Sequence, residues 1–195
     1  AAPDLGSGVV RRVGSSPISR TKNKLEAFKI LSWRLFNWLD MKKHQLCCIG
    51  HITLDKVVTP QNTVYMPGGT AFYCSHAIRH FNDIDYALVT AVGATEMNVV
   101  EQLREMGIHV TALPSKYSVY FENIYGANPD DRTQRVLAKA DPFIAGQLKD
   151  IDAQIYHLGS LLADDFSLEV IKELSQRGLI AVDSQGYLRE VRDTH

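Results

Sequence analysis

Three short segments carry residues whose types and spacing suit an oxygen-rich ligand. The segment GHITLD leaves an apolar run through glycine and ends at Asp55, whose carboxylate can accept two hydroxyl hydrogen bonds at once. Gly68 and Gly69 precede a predicted helix, and glycine lets backbone N–H groups at a helix N-terminus approach acceptor oxygens closely. Asp183 and Arg189 frame the string DSQGYLR, where the planar guanidinium suits bidentate binding of phosphate. These five residues are candidate ligand-binding groups.

Each of these candidates also has a plain structural interpretation. Asp55 can be an ordinary turn residue, and the Gly-Gly pair can be a tight entry into a helix. Arg189 can be a surface residue that pairs with Glu190 or Asp193. The residue types alone leave both interpretations open, so the surrounding elements must decide between them.

Other groups with chemical potential are weaker. His76 and His80 stand four residues apart on a predicted helix and could share a metal ion, but no third ligand follows at a suitable spacing. We therefore predict no metal site. Cys74 lies on the same helix and is predicted to be buried packing. Ser15 and Ser16 form no nucleophile elbow.

Composition excludes several classes of protein. The chain has 195 residues, 45% of them hydrophobic, which is enough for one sizeable core. Its net charge of −1 gives no electrostatic reason to expect a nucleic acid or an anionic membrane as partner. No apolar run approaches the roughly 20 residues of a membrane span. Three cysteines, two of them adjacent, argue against a disulfide framework, so we expect a reducing cytoplasm.

From Met41 onward, apolar segments alternate between strand and helix periodicity. This alternation predicts an α/β fold, with a parallel sheet that has helices on both faces. The predicted strands are 44–52, 86–92, 109–113, 154–158 and 179–182, the helices are 69–81, 96–106 and 166–177, and a hairpin joins 117–125 to 133–138. The chain ends shortly after the last strand, so we expect it to be the N-terminal portion of a larger domain.

Residues 1–40 differ from the rest in composition. They carry seven Lys or Arg and three Asp or Glu, whereas residues 41–195 carry fourteen and nineteen. A basic amphipathic helix is one interpretation. We favour another: codons chosen for residues 2–8 and 13–22 can spell three arms of a leucine transfer-RNA gene in the right order. Under this hypothesis residues 1–40 are spurious upstream translation and form no domain, and the protein starts near Met41.

Three segments follow one another in a recognisable order, namely GHITLD at 50–55, PGGTAFY at 67–73 and VGATE at 92–96. This order resembles the N-terminal part of the ribokinase, or PfkB, family of carbohydrate kinases. The resemblance covers residues 45–191, and DSQGYLR is similar to a variant string of inositol-kinase-like members. It implies that residues 41–195 form the N-terminal part of such a domain, truncated on its C-terminal side. Its doubly wound, Rossmann-like sheet would carry a small β lid built from 57–66 and 117–138.

The resemblance also implies roles for the candidate residues. Asp55, Gly68, Gly69 and Tyr73 would bind a sugar or cyclitol, with Tyr73 standing where family members often have Asn. Asp183 and Arg189 would lie on the phosphate side. Ribokinases proper carry a Glu where this chain has Gly159, which argues against ribose as substrate.

The intact family member would transfer the γ-phosphoryl group of ATP, as its Mg complex, to a substrate hydroxyl, and would pair as a homodimer through the lid. The family's catalytic Asp lies in a Gly-Ala-Gly-Asp motif, which is expected beyond residue 195. Neither that motif nor a Walker-type P-loop occurs in the chain. We therefore expect the 195-residue chain by itself to be inactive.

Two other classes of function remain open. A non-catalytic sugar-binding α/β module would need only half a kinase site. A nucleotide-cofactor-binding α/β protein would need Gly-x-Gly-x-x-Gly after the first strand, and GHIT at that position does not supply it.

Overall fold

A computed structural model of the chain describes residues 44–81, 83–128 and 130–192. The interpretation of residues 1–40 as spurious translation concerns a segment outside these described residues. The elements in chain order are β1 His44–Gly50, β2 Thr53–Val58, β3 Thr63–Gly68, α1 Gly69–Ile78, β4 Tyr86–Val92, α2 Met97–Glu105, β5 His109–Pro114, β6 Val119–Tyr125, β7 Arg132–Ala138, β8 Ala153–Gly159, α3 Leu168–Ser175 and β9 Leu179–Val182.

The main sheet has the order β5-β4-β1-β8-β9, and all its strands are parallel. The first strand of the described residues, β1, lies in the middle of this sheet; β4 and β5 follow on one side, and β8 and β9 follow on the other. Side chains of β1 alternate between two cores: Cys48 packs with α1 and α2, whereas Cys47 and Ile49 pack with α3. The predicted doubly wound parallel sheet, with helices on both faces, is therefore confirmed.

A second, smaller sheet has the order β3-β2-β6-β7, and we call it the lid sheet. β2 is parallel to β6, while β3 and β7 are antiparallel to their neighbours. The predicted 117–138 hairpin is present as β6 and β7. The predicted lid segment 57–66 is divided between β2 and β3, because a turn at 59–62 is closed by the Thr59 N–H to Asn62 carbonyl bond of 2.9 Å.

All three helices are shorter than predicted. α1 ends at Ile78, so Phe81 lies beyond the helix and is exposed instead of completing its apolar face. Ser75 is buried in its place, because its hydroxyl bonds the Ala71 carbonyl at 2.8 Å and the Tyr86 hydroxyl at 2.9 Å. α3 begins after Ser167, whose Oγ accepts the N-capping bond.

The carboxyl ends of β1 and β8 meet at very close range. A Cβ on Gly50 would lie 3.0 Å from the Gly159 carbonyl oxygen, and one on Gly159 would lie 2.9 Å from Thr70 Cβ. Strand order reverses between these two strands, and open α/β sheets place ligands in the crevice at such a point. Among the described residues, no helix is long and apolar enough to cross a membrane.

Candidate functional site

A cavity of about 780 Å³ lies between one face of the lid sheet and the start of α1. The volume is in the range of small-molecule sites. It is lined mainly by polar side chains mixed with aromatic and aliphatic ones, namely Thr53, Asp55, Val57, Met66, Gly69, Thr70, Tyr73, Cys74, Ala77, Phe121, Asn123, Tyr125, Arg132, Gln134, His157, Leu161, Gln185 and Arg189.

The lid strands contribute alternate residues to this cavity. β2 contributes 53, 55 and 57, β6 contributes 121, 123 and 125, and β7 contributes 132 and 134. Successive side chains of a strand point to opposite faces, so one face of the sheet lines the cavity. On that face Gln134 Nε2 donates a hydrogen bond of 2.7 Å to Asn123 Oδ1. Sequence reasoning missed Asn123, Arg132 and Gln134, although their period of two was the available signal.

Asp55 stands on the cavity wall, half-buried in β2. Thr53 Oγ1 donates a 2.8 Å hydrogen bond to Asp55 Oδ1. Burial raises the pKa of the Asp55 carboxyl, while the Thr53 bond and the positive charges of Arg189 and Arg132 act in the opposite direction. The carboxylate therefore reaches the cavity with a fixed orientation and with arginine charges nearby.

The two glycines differ in what they do. Gly68 is buried opposite Thr53 in the β2–β3 ladder, and a Cβ there would collide with Asp55 Oδ2 and lie 2.9 Å from Thr53 Oγ1. Gly69 lines the cavity and has a φ of +89°. A Cβ on Gly69 would lie 2.5 Å from the His51 carbonyl oxygen, so both its backbone conformation and its surroundings require glycine.

Arg189 lines the same cavity as Asp55. Its Nη1 donates to the Leu161 carbonyl at 2.9 Å, and its guanidinium lies 5.1 Å from the centre of the Phe121 ring. Burial and the neighbouring Arg132 lower the pKa of Arg189. Glu190 bonds Arg192 instead, at 2.9 Å. The interpretation of Arg189 as a surface partner of Glu190 is therefore wrong.

Asp183 and Tyr73 take contrasting positions. Asp183 Oδ2 accepts a 2.9 Å hydrogen bond from Thr70 Oγ1, and its Oδ1 accepts one from the Gln185 N–H at 2.9 Å. These bonds tie the end of β9 to the first turn of α1. Tyr73 projects from α1 into the cavity mouth with 54% of its surface exposed.

Cys74 packs against the core as the sequence predicts, but it is not fully buried. It is half-buried and lines the cavity, with its Sγ 3.8 Å from His157 Nδ1. Hydrogen bonds with Cys48 and with His157 lower the pKa of Cys74 to about 5, and the bond with Cys74 raises the pKa of His157. Sequence reasoning did not identify His157, because it lies on β8, 83 residues from Cys74.

Comparison with known proteins identifies the architecture. No protein-family profile and no curated protein sequence matches the chain. Among solved structures, a pyrophosphate-dependent kinase of the ribokinase family in complex with sulfate matches with a TM-score of 0.66 and 25% identity, over 76% of this chain and 53% of that kinase. The chain has the ribokinase-family fold. The resemblance predicted from the sequence is confirmed.

Further members of the family share this architecture. A pyrophosphate-dependent kinase complexed with a pyrophosphate analogue and myo-inositol matches with a TM-score of 0.64 and 23% identity, over 76% of this chain and 52% of that one. The nucleoside kinase of Burkholderia thailandensis, complexed with inosine, matches with a TM-score of 0.55 and 17% identity, over 71% and 52%. This ribokinase-fold chain spans about half the length of these kinases.

Proposed function

We propose that this chain provides the acceptor-binding half of a ribokinase-type kinase that phosphorylates a hydroxyl of a sugar or cyclitol. The observation that carries the proposal is one cavity whose walls hold the Asp55 carboxylate together with the Arg132 and Arg189 guanidinium groups. A carboxylate orients hydroxyl groups, and guanidinium groups neutralise a phosphoryl group. One cavity thus combines a group suited to binding acceptor hydroxyls with groups suited to binding a phosphoryl group.

The acceptor would bind with two of its hydroxyl groups donating to Asp55, whose geometry is fixed by Thr53. Asn123 and Gln134 offer further amide groups on the same wall. Closure of the lid sheet over the acceptor would exclude water from the transfer step. Tyr73, at the mouth of the cavity, would contact the acceptor from the side of α1.

The phosphoryl donor in this proposal is ATP. Arg189 would lie on the side of the transferred group, and Asp183 would hold the backbone that precedes Arg189 through its bond with the Gln185 N–H. Pyrophosphate is a second candidate donor, favoured by the likeness to pyrophosphate-dependent kinases. Mg²⁺ prefers oxygen ligands, whereas the cluster of potential metal ligands found among the described residues offers sulfur and nitrogen. These residues therefore do not fit Mg²⁺.

We further propose that the 195-residue chain does not transfer phosphate by itself, because its sequence contains no Gly-Ala-Gly-Asp motif to supply the catalytic base. Three free cysteines suit a reducing compartment, so we assign the reaction to the cytoplasm. A homodimer through the lid sheet is supported by exposed apolar side chains of β3 that do not line the cavity, namely Val64 and Tyr65.

Binding of myo-inositol, measured by calorimetry with and without ATP or pyrophosphate, tests the proposal. Replacing Asp55→Asn should weaken acceptor binding about 10- to 100-fold, because a charged hydrogen bond contributes roughly 1.5–3 kcal/mol. Asp150→Asn, an exposed position outside the cavity, is the matched control and should leave binding unchanged. Equal affinity in wild-type and Asp55→Asn proteins would contradict the acceptor role.

The non-catalytic sugar-binding module predicts a different result. Its half site would bind the sugar tightly with no donor present, and binding would not respond to ATP or pyrophosphate. The kinase proposal predicts weak binding that a phosphoryl donor strengthens once the remaining half of a kinase is present.

A further inference from the structure

Cys74 and His157, which line the cavity, and the buried Cys48 have no task in the proposed kinase role. The Cys48 and Cys74 sulfurs and a His157 ring nitrogen all lie within 4.8 Å of one another. The Cys74 Sγ to His157 Nδ1 distance is 3.8 Å. This is the only group of three or more potential metal ligands that lies so close together among residues 44–81, 83–128 and 130–192.

The fold fixes this cluster through its backbone. Cys48 on β1 and His157 on β8 are register partners in adjacent parallel strands, so their side chains leave the same face of the sheet, with strands about 4.8 Å apart. α1 packs on that face and supplies Cys74. The approach of the three groups therefore follows from the main sheet and its first helix.

We propose that Cys48, Cys74 and His157 bind a thiophilic d¹⁰ cation, represented by Zn²⁺. Two sulfurs and one imidazole are ligands that Zn²⁺ and Cu⁺ favour over Mg²⁺ or Ca²⁺. In a tetrahedral site with Zn–S near 2.3 Å and Zn–N near 2.0 Å, ligand atoms lie roughly 3.5–3.8 Å apart. The 3.8 Å between Cys74 and His157 meets that requirement. Each thiol that binds the ion gives up its proton to solvent.

The site is open on one side. Cys48 is fully buried, whereas Cys74 and His157 line the cavity. An ion can therefore enter from the cavity, and its fourth coordination position faces the cavity and is filled by water or by a hydroxyl of a bound ligand. The bound ion would share the cavity with the proposed acceptor, although the metal site does not depend on that function.

Spectroscopic titration of the full chain, without a polyhistidine tag, tests the site. Co²⁺ should bind with one-to-one stoichiometry and show thiolate-to-metal charge transfer with the d–d bands of a tetrahedral site, and Zn²⁺ should displace it. Cys74→Ser and His157→Gln should each lower Zn²⁺ affinity by at least about 100-fold, since even second-shell changes cost 10–100-fold. His80→Gln, at an exposed position, and Cys47→Ala, on the other face of β1, should bind as wild type.

A measurement on the wild-type protein avoids any loss of folding in the variants. Zn²⁺ should slow alkylation of Cys74 by iodoacetamide, followed by peptide mass spectrometry, in proportion to site occupancy. The absence of thiolate-to-Co²⁺ charge transfer in the wild-type protein would overturn the proposal. An alkylation rate of Cys74 that does not change with Zn²⁺, or equal Zn²⁺ affinity in folded Cys74→Ser and wild-type proteins, would also overturn it. None of these readouts requires kinase activity, so failure of the kinase proposal leaves this one testable.

Discussion

Asp55 and Gly68 form a pair in which a glycine leaves room for a carboxylate. The two residues lie on neighbouring antiparallel strands, and the Gly68 α-carbon faces Asp55 Oδ2 and Thr53 Oγ1. A side chain at position 68 would displace the carboxylate that we assign to the acceptor. The role of Gly68 is therefore steric, exerted from behind the cavity wall, and differs from the backbone contact that the sequence predicts.

The variant Gly68→Ala tests this steric role. We expect it to lower the free energy of unfolding by about 1–3 kcal/mol, the usual cost of inserting a methyl group into filled space, and to weaken acceptor binding. Denaturant unfolding and calorimetry measure the two effects. The matched control is Gly146→Ala, where a Cβ would meet no atom within 4 Å. Equal stability of the two variants would show that the Asp55 side chain moves aside at little cost.

Among the elements, the lid sheet has two chemically different faces. Its inner face lines the cavity, whereas its outer face carries a network of ion pairs around Glu122. Lys56 Nζ lies 2.8 Å from Glu122 Oε1, and Arg135 Nη1 lies 3.4 Å from Glu122 Oε2. Lys56 and Glu122 are register partners on β2 and β6, and Arg135 faces Glu122 from β7. This ion-pair network joins three of the four lid strands without contributing to the cavity lining.

The network gives the lid a predictable response to acid. The hydrogen bond from Lys56 lowers the pKa of Glu122 below its ordinary value of 4.5. A lowered folded-state pKa stabilises the protein above pH 4.5, and this contribution disappears as the pH falls through the folded-state value. The Tm of the wild type should therefore exceed that of Glu122→Gln at pH 7, and this excess should shrink towards pH 3. Glu105→Gln, on the exposed surface of α2, is the control for the loss of one negative charge. A difference in Tm between wild type and Glu122→Gln that does not change with pH would contradict the expectation.

At the scale of the whole molecule, the reversal of strand order beside β1 determines where the site lies. The lid sheet, the first turn of α1 and the ends of β8 and β9 all meet there, and Thr70 links α1 to Asp183 at the end of β9. Close packing of Gly159 against Thr70 leaves no room for a side chain at position 159. The glutamate that the resemblance leads us to expect in ribokinases proper would collide here with the Thr70 side chain.

The hypothesis about residues 1–40 is tested at the same scale. If this segment is spurious translation, genomic DNA across the locus will spell the three transfer-RNA arms upstream of Met41. A protein that starts at Met41 will then match the full chain in Tm and in acceptor binding. An upstream sequence without those stems, or a lower Tm of the shorter protein, would contradict the hypothesis.

Local sequence patterns determined the main elements. The alternation of strand and helix periodicity predicted every strand of the main sheet and the helices on both of its faces, because burial on one or two faces leaves a local signature. Gly107 follows α2 with a φ of +84°, the left-handed conformation in which glycine commonly ends a helix. Asp55, Gly69, Tyr73 and Arg189, four of the six candidate site residues, line one cavity, whereas Gly68 and Asp183 do not.

The contacts between distant segments were decided only by the tertiary structure. Periodicity could not show that Ser75 would replace Phe81 in the core, since this depends on the Tyr86 hydroxyl across the packed face. Nor could it join Cys74 to His157, because that contact requires β8 to lie beside β1 under α1. A sequence pattern reports which face of an element is buried, whereas the neighbour on that face depends on crossovers many residues away.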